Sequence, residues 1–163
     1  MSILEDLGTK IGTKLKDFET RIHDLELGSL SGIGGDIATY EINGITYRSH
    51  TFTSSDTITF NRAGLVDILL VAGGGAGSGG NESGGGGGAG GMIEATAQPV
   101  SGIEYTIIIG SGGAGNSSGP GTEGGNSSAL GLTTIGGGRG GEQDSGSSNF
   151  ATSGGSGGGS GGV

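Results

Sequence analysis

The chain has no cysteine and no tryptophan, two prolines, three tyrosines and four phenylalanines in 163 residues. Without cysteine, disulfide frameworks and thiolate zinc sites are excluded. So few aromatic residues exclude a large conventional core. Basic residues are scarce as well: seven Lys and Arg against sixteen Asp and Glu give a formal net charge of −9. That balance argues against nucleic acid and anionic membrane surfaces as partners, because both select basic faces. The longest apolar run, "LVDILLVA", is broken by Asp67 and falls far short of the ~20 residues that a membrane helix needs. The start, "MSILEDLGTK", carries acids where a signal peptide needs positive charge followed by an apolar stretch. The reading is a soluble protein without membrane insertion or a visible export signal.

What the chain has in excess is glycine. Its 44 glycines are about four times the usual share of roughly 7%, and 36 of the 91 residues from Gly73 onward are glycine. Composition divides the sequence into an N-terminal helix for docking and oligomerisation (1–30), a linker (31–38) and a glycine-rich β domain (39–163). The closing "SGGSGGGSGGV" stops inside a glycine tract, which suggests a domain cut short at its C-terminus.

In the first zone the apolar residues are Leu4, Leu7, Ile11, Leu15, Phe18, Ile22 and Leu25, at steps of 3, 4, 4, 3, 4 and 3. That spacing predicts one apolar helix face, and a regular heptad seam would have to absorb a stutter near Ile11 to Leu15. Gly8 and Gly12 lie beside the stripe and cost a lone helix roughly 2 kcal/mol. The expectation is a helix that packs against copies of itself or a partner; its spacing does not choose three copies over two.

Strand signals follow. "IATYEINGITYRSHTF" alternates around Asn43-Gly44, a strong hairpin signal. "DTITF" places Ile58 and Phe60 on one face, and "EYTIIIG" does the same for Tyr105, Ile107 and Ile109. "LVDILLVA" is apolar on both faces apart from Asp67, which predicts a central strand. "MIEATAQPV" alternates, and "ALGLTTIGGG" reads as a weaker strand. The expected fold is mainly β: the N-terminal amphipathic helix, then a small β-sandwich from which the glycine tracts sprout as long loops. Ordering so much glycine requires backbone hydrogen bonding and close packing, which extended helices with three residues per turn allow. Glycine does not recur at every third position, so collagen is excluded.

The order of elements resembles the glycine-rich domain of bacteriophage tail fibres and tail-associated adhesins. An apolar strand ends in a glycine turn at Val71 to Gly75, and a second strand opens at Gly90 to Ala95. A turn follows at Pro99 to Gly102, then a strand into glycine at Thr106 to Gly113, then another stretch at Gly125 to Gly138. The resemblance covers about residues 45–160 and implies a virion location, commonly a homotrimer, and a part in host attachment. Related modules pack extended polyglycine helices. Partners implied are further copies of the chain, tail or baseplate proteins reached through the N-terminal helix, and a host surface receptor.

Chemistry-bearing motifs are weak. Gly75, Gly77 and Gly80 fit G-x-G-x-x-G, but "NESGGGGGAGG" after them cannot form the helix on whose N-terminus a pyrophosphate sits. "GTKIGTKL" lacks the Gly-Lys-Ser/Thr of a P-loop. His23 and His50 are isolated, and the acids after residue 36 are single, without calcium-loop spacing. Asn81, Asn116 and Asn126 begin N-x-Ser sequons, and Asp67 and Glu94 fall within expected strands, where they serve packing or solubility. The expectation is a structural protein with no catalytic, metal or cofactor site. Its alternative is a soluble glycine-rich ice-binding protein, which would need a flat regular face and a strict glycine triplet. A bacterial surface or matrix protein is a third reading and would need an export signal.

Overall fold

The computed structural model describes Lys14 and residues 29–79, 83–144 and 147–160. The chain divides into two units at Ser31/Gly32. Leu4, Leu7, Ile11, Leu15, Phe18, Ile22 and Leu25 lie outside the described residues.

Among the described residues of the second unit there are twelve short strands: β1 (Gly32–Ile33), β2 (Asp36–Ile42), β3 (Ile45–Thr51), β4 (Asp56–Phe60), β5 (Gly64–Val71), β6 (Ser83–Gly84), β7 (Met92–Val100), β8 (Glu104–Ile107), β9 (Ser127–Ala129), β10 (Leu132–Thr134), β11 (Glu142–Asp144) and β12 (Ser147–Asn149). They form five small sheets, β1-β4-β8, β9-β10, β6-β11-β12, β2-β3 and β5-β7, antiparallel throughout. The expected helix-plus-sandwich fold is corrected here. The described residues are mainly β with no helical element, and the sheets hold two or three strands each. Strands that run into glycine after a few residues lack the alternating inward side chains from which two facing sheets build a core.

Local sequence explains the hairpins. Asn43 and Gly44 take φ of 52° and 78°, the paired left-handed values of a two-residue type I′ turn, and join β2 to β3. Leu130 and Gly131 repeat this at 51° and 79° between β9 and β10. The hydrophobic core is small. Ile58, Phe60, Leu70, Ala72, Val100, Ile107 and Ala129 are buried. Phe60 meets Tyr105 edge to face at 5.9 Å, and the Tyr105 hydroxyl accepts the Ser101 N–H at 2.8 Å.

β5 is not a central strand. Among the described residues it pairs only with β7, and Leu65, Leu69 and Val71 stay 50–64% exposed. A register shift between Val66 and Ile68 places Ala97 at φ 54°, and the Asp67 carboxylate accepts the Ala97 N–H at 2.9 Å. Asp67 thus holds a β-bulge. Asp67→Ala should cost about 1–2 kcal/mol in urea denaturation, because the carboxylate supplies a charge-assisted bond. Asp67→Asn, which keeps an acceptor, should cost less than half as much. Equal losses for the two variants would remove the bond from the account.

The glycine tracts are not loops. Six extended segments, I (72–79), II (84–91), III (108–116), IV (119–126), V (135–141) and VI (156–159), hydrogen-bond to one another through their backbones. The bonds recur every third residue. Ala72, Gly75 and Ser78 of I donate to Gly91, Gly88 and Gly85 of II. Gly73, Ala76 and Gly79 of I donate to Gly125, Thr122 and Gly119 of IV. Gly85, Gly88 and Gly91 of II donate to Gly141, Gly138 and Ile135 of V, while Gly137 and Gly140 of V donate to Gly73 and Ala76 of I. This is the pattern of packed chains with three residues per turn, each successive residue facing a different neighbour. The sequence has no glycine triplet; the hydrogen bonding does.

Bonded neighbours arrange the segments in two layers, III–I–II and IV–V–VI. I is bonded to II, III, IV and V, and V to I, II, IV and VI. Thr152 to Gly155 runs back along V before the chain turns into VI, with Thr152 and Gly155 donating to Arg139 and Gly136. Glycine is a steric requirement inside. A Cβ on Gly137 would fall onto the Gly88 carbonyl oxygen, and one on Gly85 onto that of Gly159.

Candidate functional surface

Side chains in the slab complete its backbone bonding. Ser78 Oγ donates to the Gly140 carbonyl and accepts the Gly121 N–H. Thr122 Oγ1 accepts from Ala114, Asn126 Oδ1 from Gly136, Ser127 Oγ from Gly110 and Thr152 Oγ1 from Arg139, at 2.7–3.0 Å. Ser127 is fully buried. Among the described residues no buried side-chain nitrogen or oxygen lacks a partner. Ser78, Thr122, Asn126, Ser127 and Thr152 thus hold backbone of the slab.

The other residues singled out in the sequence are dispersed. His50 Nδ1 donates to the Gly34 carbonyl oxygen at 2.8 Å, where Gly34 and Gly35, both at positive φ, turn the chain from β1 to β2. Asn116 Oδ1 accepts from Ser118 N at 3.1 Å. Gly75 and Gly77 lie in segment I, not at a helix start, and a Cβ on Gly75 would fall onto the Gly138 carbonyl oxygen. Gly80, Asn81 and His23 lie outside the described residues. Glu94 is an exposed residue of β7 opposite Leu69. Among the described residues no group of three or more His, Asp or Glu could hold a metal ion.

What the geometry offers instead is surface. The hairpin β2-β3 leaves Tyr40, Tyr47, Ile42 and Ile45 on one face, each 40–57% exposed, with the two tyrosine rings stacked at 5.5 Å. A second face is larger. Leu65, Leu69 and Val71 of β5 and Met92 of β7 are 50–65% exposed, and the β5-β7 ladder passes without a register change into segments I and II. Val71 pairs with Met92, and the next bond joins Ala72 to Gly91. From there the exposed positions advance in threes, Val71, Gly74 and Gly77 on I and Met92, Ala89 and Gly86 on II, with exposed Gly112 and Gly115 on III. A Cβ on Gly86 or Gly115 would meet nothing within 4 Å. Sequence reasoning missed this face, because its glycines look the same as the buried ones.

A family model described as glycine-rich domain matches residues 49–163. No curated protein and no solved structure matches the chain. The match spans the slab and most of the strands that lead into it, and the chain belongs to the glycine-rich domain family.

Proposed function

We propose that this chain is a structural component of a bacteriophage tail fibre, at its base or shaft, which contributes to host attachment as part of the virion and performs no catalysis. The observation that supports this is the slab itself. Its order comes from backbone bonds across six segments, a construction that suits a mechanical part and leaves side chains free to vary at the surface. The sequence elements resembling tail-fibre domains lie at its entrances: Val71 to Gly75 opens segment I, Gly90 to Ala95 closes II, and Thr106 to Gly113 leads into III. Association into a homotrimer, docking on tail or baseplate proteins through the residues before Ser31, and contact with a host receptor belong to the same reading.

The test is gold-labelled antibody against residues 32–160 on purified particles, together with adsorption of particles lacking the gene. Labelled fibres and reduced adsorption are expected. Particles without label sink the proposal.

One observation favours the ice-binding reading as the second: Gly74, Gly77, Gly86, Ala89, Gly112 and Gly115 of layer III–I–II are exposed glycine and alanine. Thermal hysteresis and recrystallisation inhibition by the purified protein decide for it, and a protein without either is not an ice binder.

A further inference from the structure

The β5-β7 face and layer III–I–II form one surface with two unlike ends that none of the described residues covers. One end carries Leu65, Leu69, Val71 and Met92, large apolar side chains 50–65% exposed. The other end is bare backbone. Four of its five glycines are not required by the fold, since Gly86 and Gly115 have open space where a Cβ would stand, and the nearest atom to such a Cβ on Gly74 or Gly112 is 3.6–3.9 Å away; only Gly77 is tight, at 3.3 Å from the Gly85 carbonyl oxygen. Nor does φ require glycine there, because none of these residues is among the positive-φ positions. Alanine would order more easily at such places. Gly74, Gly77, Gly86, Gly112 and Gly115 also donate their N–H groups to no described residue, so the surface carries backbone donors without acceptors among the described residues.

We propose that this face packs against the same face of a second copy through a twofold contact, in which the apolar end of each copy lies on the glycine layer of the other. Raised side chains at one end and a flat layer at the other make the face self-complementary under a twofold rotation, as an isologous interface requires. An identical slab offers the extended backbone whose carbonyls can meet these N–H groups, as the two layers within one copy already do. Charge does not oppose it on the glycine layer, where the exposed residues of segments I to III are uncharged. At the apolar end two exposed carboxylates must lie at the rim: Asp67, which accepts the Ala97 N–H, and Glu94, opposite Leu69. The size is sufficient. Three segments of eight residues cover roughly 25 Å by 15 Å at about 3.1 Å per residue and 4.8 Å between chains. Four half- to two-thirds-exposed apolar side chains add ~60 Å² each. The sum, about 600 Å² per copy, reaches the ~1,200 Å² at which specific interfaces begin.

This deepens the assembly part of the proposed function and rests on it only for biological context. A twofold contact doubles whatever the rest of the chain makes, giving two copies from a lone chain and six from a trimer. Sedimentation equilibrium of the full chain should show an even assembly. The pair Gly86→Arg and Gly115→Arg, with side chains pointing into open space, should weaken that assembly at least tenfold without shifting the thermal melt. Val71→Lys should act likewise from the apolar end, and Glu94→Gln should tighten association. A wild-type monomer or a simple trimer overturns the contact, as does an arginine pair that associates like wild type. An ice-growth effect abolished by the arginine pair in a monomeric wild type assigns the face to ice instead. Particle labelling is read separately: labelled virions with a monomeric or trimeric protein sink only this contact, and unlabelled virions with an even assembly sink only the fibre.

Discussion

Gly137→Ala should cost at least 3 kcal/mol and open the slab. Gly137 sits in the middle of segment V, its N–H bonded to Gly73 and its carbonyl to Gly124, both at 2.9 Å. An added Cβ would stand 2.0 Å from the Gly88 carbonyl oxygen and 2.6 Å from the Gly75 nitrogen. These are backbone atoms, so no side chain can swing aside. Segment V would have to withdraw from I and II by about 1 Å or more, past the length at which N–H···O bonds keep their strength. Five bonds join V to those two neighbours, and at roughly 1 kcal/mol each their loss is a large part of a domain stability of ~5–15 kcal/mol. Gly86→Ala is the control. It meets nothing within 4 Å and, in dilute solution, should be neutral or stabilise by about 0.4–1 kcal/mol through the unfolded chain. Urea denaturation of the two variants checks the contrast. If Gly137→Ala unfolds at the same urea concentration as Gly86→Ala, the slab is looser than its bonding indicates.

Phe60→Ala should cost about 3–5 kcal/mol, the usual range for emptying a buried aromatic site. Phe60 is 6% exposed and shares the interior with Ile58 and Ile107, each 5% exposed. It also anchors β4 on both sides, pairing with Gly32 of β1 and donating its N–H to Ile103. Tyr105 loses its edge-to-face partner. The damage should be local. Amide exchange should quicken first in β4 and β8, with the amides of Gly75, Gly88 and Gly138 protected until global unfolding. Slab amides that open first would mean that the sheet and the slab do not fail separately.

How much of this could be read from residues depends on whether side chains carried the information. Asn43-Gly44 announces its hairpin because the turn demands left-handed backbone and those residues tolerate it. The alternation of Ile58 and Phe60 announces a covered face, and both are buried. Leu130-Gly131 makes the same turn without announcing it, since leucine has no preference for that conformation. β5 misleads because "LVDILLVA" reports apolar character but not the number of sheets available to cover it; its exposed half belongs to a surface. In the slab the silence is complete. Gly85 stands against the Gly159 carbonyl oxygen while neighbouring Gly86 faces open space, and nothing in "GGGGG" separates them. Pairing among segments I to VI follows from hydrogen-bond geometry that identical residues share.

The three-residue repeat of those bonds also limits how such a chain can change length. In an extended helix with three residues per turn, each residue is rotated by about a third of a turn from the last. Deleting one glycine from segment II ahead of Ala89 would bring Ala89 to the place of Gly88, whose Cβ direction is closed by the Ser156 carbonyl oxygen. Every donor beyond the deletion would then address the wrong neighbour. Removing three residues restores the phase and only shortens the layer. Gene-level insertions and deletions in the six segments are thus tolerated in steps of nine nucleotides, while the turns between them are free to drift by any whole number of codons.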